Sequence, residues 1–216
     1  IKLATAILIA PLRNPALLAK TVATLDTISK GRLELGVGLG WQKEEFDAAG
    51  VSFEDRTEIF WETLDICKLL WHDSPISFHG KHFNFDDIWC HPQPIQGQDL
   101  PLLFGLKMTH ENAQRIAKVG HGWIPIKTSR DFISAGREIL SEAFMKEDRQ
   151  DQPRIRGQLP TCVDENGVPN IDLTLKELEK SMAAGLDEIE VFPINFVQAP
   201  DDIYKVLQLI SEVKKS

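Results

Sequence analysis

Gly31 to Trp41 read G-R-L-E-L-G-V-G-L-G-W. Leu33, Leu35 and Val37 alternate at the two-residue period of a strand, and Gly36, Gly38 and Gly40 occupy the alternate positions. Residues two apart on a strand share a face, so these glycines leave a strip of bare backbone. Glycine weakens a strand and often marks the close approach of a ligand or of another backbone. Trp41 follows directly, a large ring with one polar N–H, suited to the edge of a pocket. The spacing is not the dinucleotide fingerprint, which needs G-x-G-x-x-G opening a helix. Two readings stand: a strip on which a flat ligand lies, or a strand end that turns sharply inside a crowded barrel.

Upstream of this stretch, residues 2–10 read as a buried strand. Leu17, Leu18, Val22, Leu25 and Ile28 then recur at helical spacing, after a loop bracketed by Pro11 and Pro15 and before a glycine cap at Gly31. Strand, helix, strand is the unit of parallel sheets. Downstream, a short helix around Glu44–Phe46 precedes one that Asp55 caps and that runs to about Trp71. Ile59, Phe60, Leu64, Cys67, Leu70 and Trp71 form its apolar side. Residues 74–98 break the rhythm with a hairpin around His79-Gly80-Lys81 and a Pro-rich excursion, an insertion of the kind that shapes a site.

The alternation then resumes. Strands are expected at 102–105, 123–126, 156–163 and 187–192. Helices are expected at 109–119 (capped by Thr109), 131–145, 173–184 (ended by Gly185) and 200–215. The last has Ile203, Val206, Leu207, Ile210 and Val213 on its core face. Six strand–helix units with strands too apolar to face water predict an α/β fold, a TIM-type (β/α) barrel with about six of its eight units present. One domain is expected over residues 1–216, with the insertion at about 74–98.

Length and composition set the outer bounds. A chain of 216 residues can bury one sizeable core. The net charge of −8 argues against nucleic acid or an anionic membrane as partner. No apolar run approaches the roughly 20 residues of a membrane span. Cys67, Cys90 and Cys162 are odd in number and far apart, which fits reduced thiols and a cytoplasmic location. The first residue is Ile1 rather than Met, so the chain is expected to begin partway through a longer product.

The linked segments now carry a resemblance. P-L-R-N-P-A-L-L-A-K, the run A-T-L-D-T-I-S-K-G-R-L-E-L-G-V-G-L-G-W, E-E-F with Arg56, F-H-G-K-H-F-N-F, P-Q-P-I-Q, P-L-L-F-G and G-H-G-W together resemble the luciferase-like monooxygenases over residues 1 to about 126. These are flavin- and deazaflavin-dependent oxidoreductases, and the resemblance is strongest to their coenzyme F-420-dependent branch. The resemblance implies a TIM barrel with FMN or coenzyme F-420 at the C-terminal ends of its strands, and either hydride transfer or oxygenation of a small-molecule substrate. It implies a bulge or an unusual peptide bond under the cofactor ring, for which Ala6 and Ile7 are the local candidates. Gly36, Gly38, Gly40 and Trp41 would complete the ring site. The cofactor phosphate would sit near Gly105, Lys107 and Thr109, with His121 a further contact.

This chain departs from the family pattern in two loops. Gly105 is followed by Leu106, Lys107 and Met108 where relatives carry glycines and a small hydroxyl residue. Gly120-His121-Gly122-Trp123 replaces G-D-G-W. The family's first two strand–helix units, which carry much of the polar chemistry, have no counterpart here. A homodimer is expected from the family and from the aromatic helix at 55–71.

Other residues have quieter readings. His121 reads as a half-exposed loop histidine as readily as a contact. His79 and His82 have no ligand-spaced partner nearby in sequence, so no metal is expected. Cys90-His91 lacks the surroundings of a catalytic dyad. Glu45 with Arg56 reads as a structural ion pair, and Arg13 and Arg32 as ties at strand ends. Trp41 and Trp123 fit pocket lining or core equally, and Trp61, Trp71 and Trp89 read as packing. No residue is assigned as a general acid or base. The rival to an enzyme is a non-catalytic flavin-binding or inert truncated barrel.

Overall fold

The computed structural model describes residues 2–127, 129–197 and 199–213. The expected extension of the last helix to Lys215, and the side chain of Val213, lie outside them. The chain groups into two compact units, Ile1–Leu106 with Val119–His121, and Lys107–Lys118 with Gly122–Ser216.

In the first unit the strand expected over 2–10 is split into β1 (Leu3–Ala4) and β2 (Leu8–Ile9), separated by a cis Ala6–Ile7 peptide bond. It is not a buried strand, since Leu3, Ala6 and Ile7 are exposed. Helix α1 (Pro15–Ser29) follows, with Asn14 Oδ1 accepting the Leu17 N–H at 3.1 Å. Its left-handed cap is Lys30, with Gly31 also at positive φ. Strand β3 (Leu33–Gly38) is buried throughout. Helices α2 (Lys43–Ala49) and α3 (Arg56–His72) come next. The antiparallel hairpin of β4 (Ile76–His79) and β5 (Asn84–Ile88) precedes β6 (Leu102–Gly105). Both β1 and β2 run parallel to β3, which runs parallel to β6 with Leu35 opposite Leu102 and Gly38 opposite Gly105.

Thr5 heals the break in the first strand. Its hydroxyl donates to the Gly36 carbonyl at 2.8 Å and accepts the Gly36 N–H at 3.0 Å, so both backbone groups stay bonded where the ladder stops.

The buried stripe of α1 is Leu18, Ala19, Val22 and Ala23, while Leu17, Leu25 and Ile28 are exposed, which corrects the expected face. Small residues on the inner side let α3 come close enough for the Trp71 indole N–H to donate to the Ala19 carbonyl at 3.1 Å. The apolar side of α3 is as expected. Its Phe60 and Trp61 pack on Phe104 of β6, Trp61 stacked at 5.6 Å and Phe60 edge-on at 6.2 Å. These rings are buried within the unit, so they cannot supply the homodimer contact expected of them. Asp55 holds the N-cap position of α3 but makes no capping hydrogen bond with its side chain.

The insertion is fastened at two points. At the hairpin tip, Glu62 accepts the N–H groups of Lys81, His82 and Phe83 at 2.8, 3.0 and 3.3 Å. At its far end the fully buried Asp26 accepts the Gln96 backbone N–H at 3.0 Å and its amide at 2.8 Å.

The second unit holds α4 (His110–Val119) up to Lys118, β7 (Gly122–Trp123), α5 (Arg130–Lys146), β8 (Arg154–Gln158), α6 (Ile171–Lys176), α7 (Leu178–Ala183), β9 (Glu188–Glu190) and α8 (Ile203–Val213). Strands β7, β8 and β9 pair in parallel, Trp123 opposite Ile155 and Gly157 opposite Ile189. Two strands end earlier than expected because Pro125 and Pro160 lack the N–H that would extend a ladder. The single helix expected over 173–184 breaks at Glu177. Trp123 is core, fully buried with its ring against Gly136 and tilted on Phe132 at 5.6 Å. On α8, Val206 is buried but Leu207 is exposed. Among the described residues, no helix is long and apolar enough to cross a membrane.

Candidate functional site

Strands β2, β3 and β6 all end on the same side, at Ile9, Gly38 and Gly105. Gly38 and Gly105 lie side by side, and the Ile7 side chain rests on both. A Cβ at Gly38 would overlap Ile7 Cδ1, and one at Gly105 would meet Ile7 Cγ2 at 3.0 Å. Gly40 is at φ +79°, where a Cβ would meet Ile9 Cγ2 at 2.8 Å and the Phe46 ring at 3.0 Å. The bare strip is thus filled by Ile7, Ile9 and Phe46, and the crowded-strand-end reading describes Gly38, Gly40 and Gly105.

What the glycines achieve is the seating of Ile7. With no side chains beneath it, Ile7 sits low on the backbone and still keeps a 36% exposed face beside the exposed Ala6. Gly36 is buried, its backbone held by Thr5. Ala6, Ile7, Gly36, Gly38 and Gly105 are therefore brought together. Trp41 is not, being 84% exposed.

His121 also stands apart from these residues. Its Nδ1 accepts the Leu102 N–H at 3.2 Å, and its own N–H donates to the Leu102 carbonyl at 2.8 Å. Leu102 begins β6 and Gly105 ends it, so His121 serves the opposite end of the strand. The nitrogen that accepts from Leu102 carries no proton, so a neutral ring holds its proton on Nε2.

In the second unit, Thr109 Oγ1 accepts the Asn112 N–H at 3.2 Å and caps α4, and the Lys107 carbonyl accepts from the Asn112 amide at 2.9 Å. The Lys107 side chain is exposed, and its ammonium has no partner among the described residues.

Several quieter expectations are also resolved. Arg32 ties a strand start as expected, Nε donating to the Ser29 carbonyl at 2.7 Å. The Glu45–Arg56 ion pair does not form, because Arg56 turns to the Phe53 carbonyl at 2.6 Å and lies over the Phe53 ring at 3.8 Å. Carboxylates do approach His82, contrary to the local reading. Asp55, Glu58 and His82 bring ligand atoms within 4.8 Å of one another, through α3 rather than through neighbours in sequence. Lys81 already places its ammonium on the same Glu58 oxygen that meets His82, and those two contacts, Lys81 first, hold the Glu58 carboxyl below its usual range.

Sequence reasoning missed a charged face in the second unit. Arg154 and Arg156 on β8 both bond Glu188 on β9, by their Nε at 2.7 and 2.6 Å, and Arg156 lies 4.0 Å from Glu190. Burial raises the Glu190 carboxyl pKa; Arg156 opposes this shift and Glu188 adds to it. The signal was present as R-x-R and E-x-E at strand period.

A family model described as luciferase-like monooxygenase matches residues 1–167. Uncharacterized protein Rv0953c of Mycobacterium tuberculosis (strain ATCC 25618 / H37Rv) is 34% identical over 153 residues, 66% of this chain and 54% of that protein. An F420-dependent glucose-6-phosphate dehydrogenase of Kineococcus radiotolerans is 28% identical over 171 residues, 76% of this chain and 48% of that one. The oxygenating constituent of 3,6-diketocamphane monooxygenase from Pseudomonas putida, solved in complex with FMN, superposes with a TM-score of 0.65 at 19% identity. It covers 76% of this chain and 49% of its own. The chain spans about half the length of the curated relatives it matches. The fold class of these neighbours is the TIM-type (β/α) barrel.

Proposed function

This chain belongs to the luciferase-like monooxygenase family, and from that premise we propose that it is a flavin- or deazaflavin-dependent oxidoreductase acting on a small organic substrate. The observation that carries the reading is Ile7. It is an exposed apolar side chain seated on two glycines at the C-terminal ends of β3 and β6, the end of a barrel where active sites lie. Ala6 and Ile7 offer an apolar step of the kind that backs one face of a planar ring.

FMN or coenzyme F-420, when bound, supplies the redox chemistry, hydride transfer or oxygenation. The protein's share is binding and positioning. Gly38 and Gly105 keep Ile7 low, Thr5 fixes the backbone of Gly36, and Ile9 with Phe46 exclude water beside Gly40. Within the second unit, Lys107 would offer positive charge to an anionic group, and Thr109 caps the helix that follows it. His121 takes no part in this reading.

A relative that uses coenzyme F-420 and a structural neighbour solved with FMN leave both cofactors in the proposal. The chain is taken to work in the cytoplasm as a homodimer, which light scattering at micromolar concentration checks. The rival reading, an inert or merely flavin-binding barrel, is favoured by the outward position of Trp41. A fluorescence titration of the purified chain with FMN and with coenzyme F-420 tests the proposal. Micromolar binding of either supports it over an inert barrel, and no binding of either by a folded chain overturns it.

A further inference from the structure

A cleft of about 410 Å³ opens in the first unit beyond the C-terminal end of β2, within the size range of small-molecule sites. It is walled by the loop before α1, by the Ala49–Ser52 turn after α2, and by the hairpin tip at His82 and Phe83. Pro11, Ile59 and Phe83 supply apolar surface.

Of the polar side chains at its rim, Arg13, Asn14 and Ser52 are donors or carry a spare donor, and His82 is engaged through Nε2 with Glu58 at 3.0 Å. The Arg13 guanidinium is exposed and has no hydrogen bond or ion pair among the described residues. Asn14 uses its amide oxygen to cap α1, which leaves the amide nitrogen for a ligand. Ser52 Oγ accepts the Asp55 N–H at 3.2 Å, so its hydroxyl proton is free to donate. No Asp or Glu lines the cleft, although the chain carries 32 acidic residues against 24 basic ones.

We infer that this cleft binds a small organic anion, its apolar body against Pro11, Ile59 and Phe83 and its oxyanion on the Arg13 guanidinium. The pairing of one unpartnered cation with spare neutral donors above an apolar wall selects such a ligand over a cation or a neutral sugar. The inference concerns the chain without cofactor, so it stands or falls separately from the flavin reading.

The test uses benzoate as probe against the full chain, followed by amide shifts in ¹⁵N–¹H spectra. Saturable shifts at Gly50, Val51, Ser52 and Phe83 are expected, weakening with added salt because the guanidinium is exposed. Arg13→Gln should weaken the affinity about tenfold, the loss of one charge-assisted contact, with an otherwise unchanged spectrum since Arg13 holds nothing else by its side chain. Benzyl alcohol, the neutral counterpart, should bind at least about tenfold more weakly. Benzoate binding that is absent, that maps to other residues, that is equal in Arg13→Gln, or that benzyl alcohol matches would overturn the inference.

Discussion

The parallel strand pair β3–β6 and the pair β8–β9 use the same ladder to opposite ends. On β3 and β6 the paired strand ends are bare, Gly38 and Gly105 leaving room that Ile7 occupies while Thr5 bonds the Gly36 backbone. On β8 and β9 the corresponding period-two positions are loaded with charge, Arg154 and Arg156 against Glu188 and Glu190. An emptied face lets a neighbouring segment settle onto backbone, and so presents an apolar step to a ligand. A charged face holds itself together by ion pairs and offers polar groups instead. The contrast separates where a ring would rest from where a proton could be held, for Glu190 is the carboxyl that burial keeps protonated to higher pH.

The sharpest way to break the comparison is to put a methyl group on each kind of glycine. A Cβ at Gly122 would overlap the Arg154 carbonyl, and backbone cannot step aside. Gly122→Ala should therefore cost about 3 kcal/mol or more, read from denaturant midpoints. Glu188→Gln should cost less, about 1–2 kcal/mol, because Arg156 is nearly buried but Glu188 keeps contact with water. High salt should narrow that difference.

Gly38→Ala meets the tip of Ile7, which can rotate, and approaches the Gly105 carbonyl at 3.2 Å, which must give slightly, so about 1 kcal/mol is expected. Its larger effect should be on cofactor affinity, which falls as Ile7 is pushed out of its seat. A Gly38→Ala chain that binds cofactor as well as wild type would separate the glycine from the site.

The smallest effect is at Glu190. Its carboxyl pKa is raised from 4.5, so the folded chain holds that proton more tightly than the unfolded one. The cost of ionising it is absent well below pH 4.5 and complete once the pH has passed its folded value. Glu190→Gln should stabilise the chain slightly at pH 7, by less than about 0.5 kcal/mol since the side chain keeps some contact with water, and leave Tm unchanged near pH 3. A loss of stability at pH 7 would show that the pairing with Arg156 outweighs burial.

Much of the fold was legible because parallel strands and their helices impose periods that single residues mark. Leu102–Gly105 was read to the residue, and Thr109 caps its helix as expected. Boundaries failed where a local rule had a stronger rival, as at Pro125 and Pro160, or where a helix face was set by small residues, as at Ala19 and Ala23. The break at Ala6 and Ile7 came from family resemblance and not from periodicity, which read 2–10 as one strand. The site was less legible, since position along a strand does not say what fills the space above it. Neither the seat of Ile7 on Gly38 nor the gathering of Asp55, Glu58 and His82 is local in sequence. The outward Trp41 shows that an aromatic beside a glycine need not close a pocket.

The proposed seat of the cofactor ring is the step made by Ala6 and Ile7 over Gly38 and Gly105. Backbone amide shifts recorded while FMN or coenzyme F-420 is titrated test that seat. Saturable shifts are expected at Ala6, Ile7, Gly38 and Gly105, with His121 undisturbed. Saturable binding that leaves those four amides in place and moves others would contradict it.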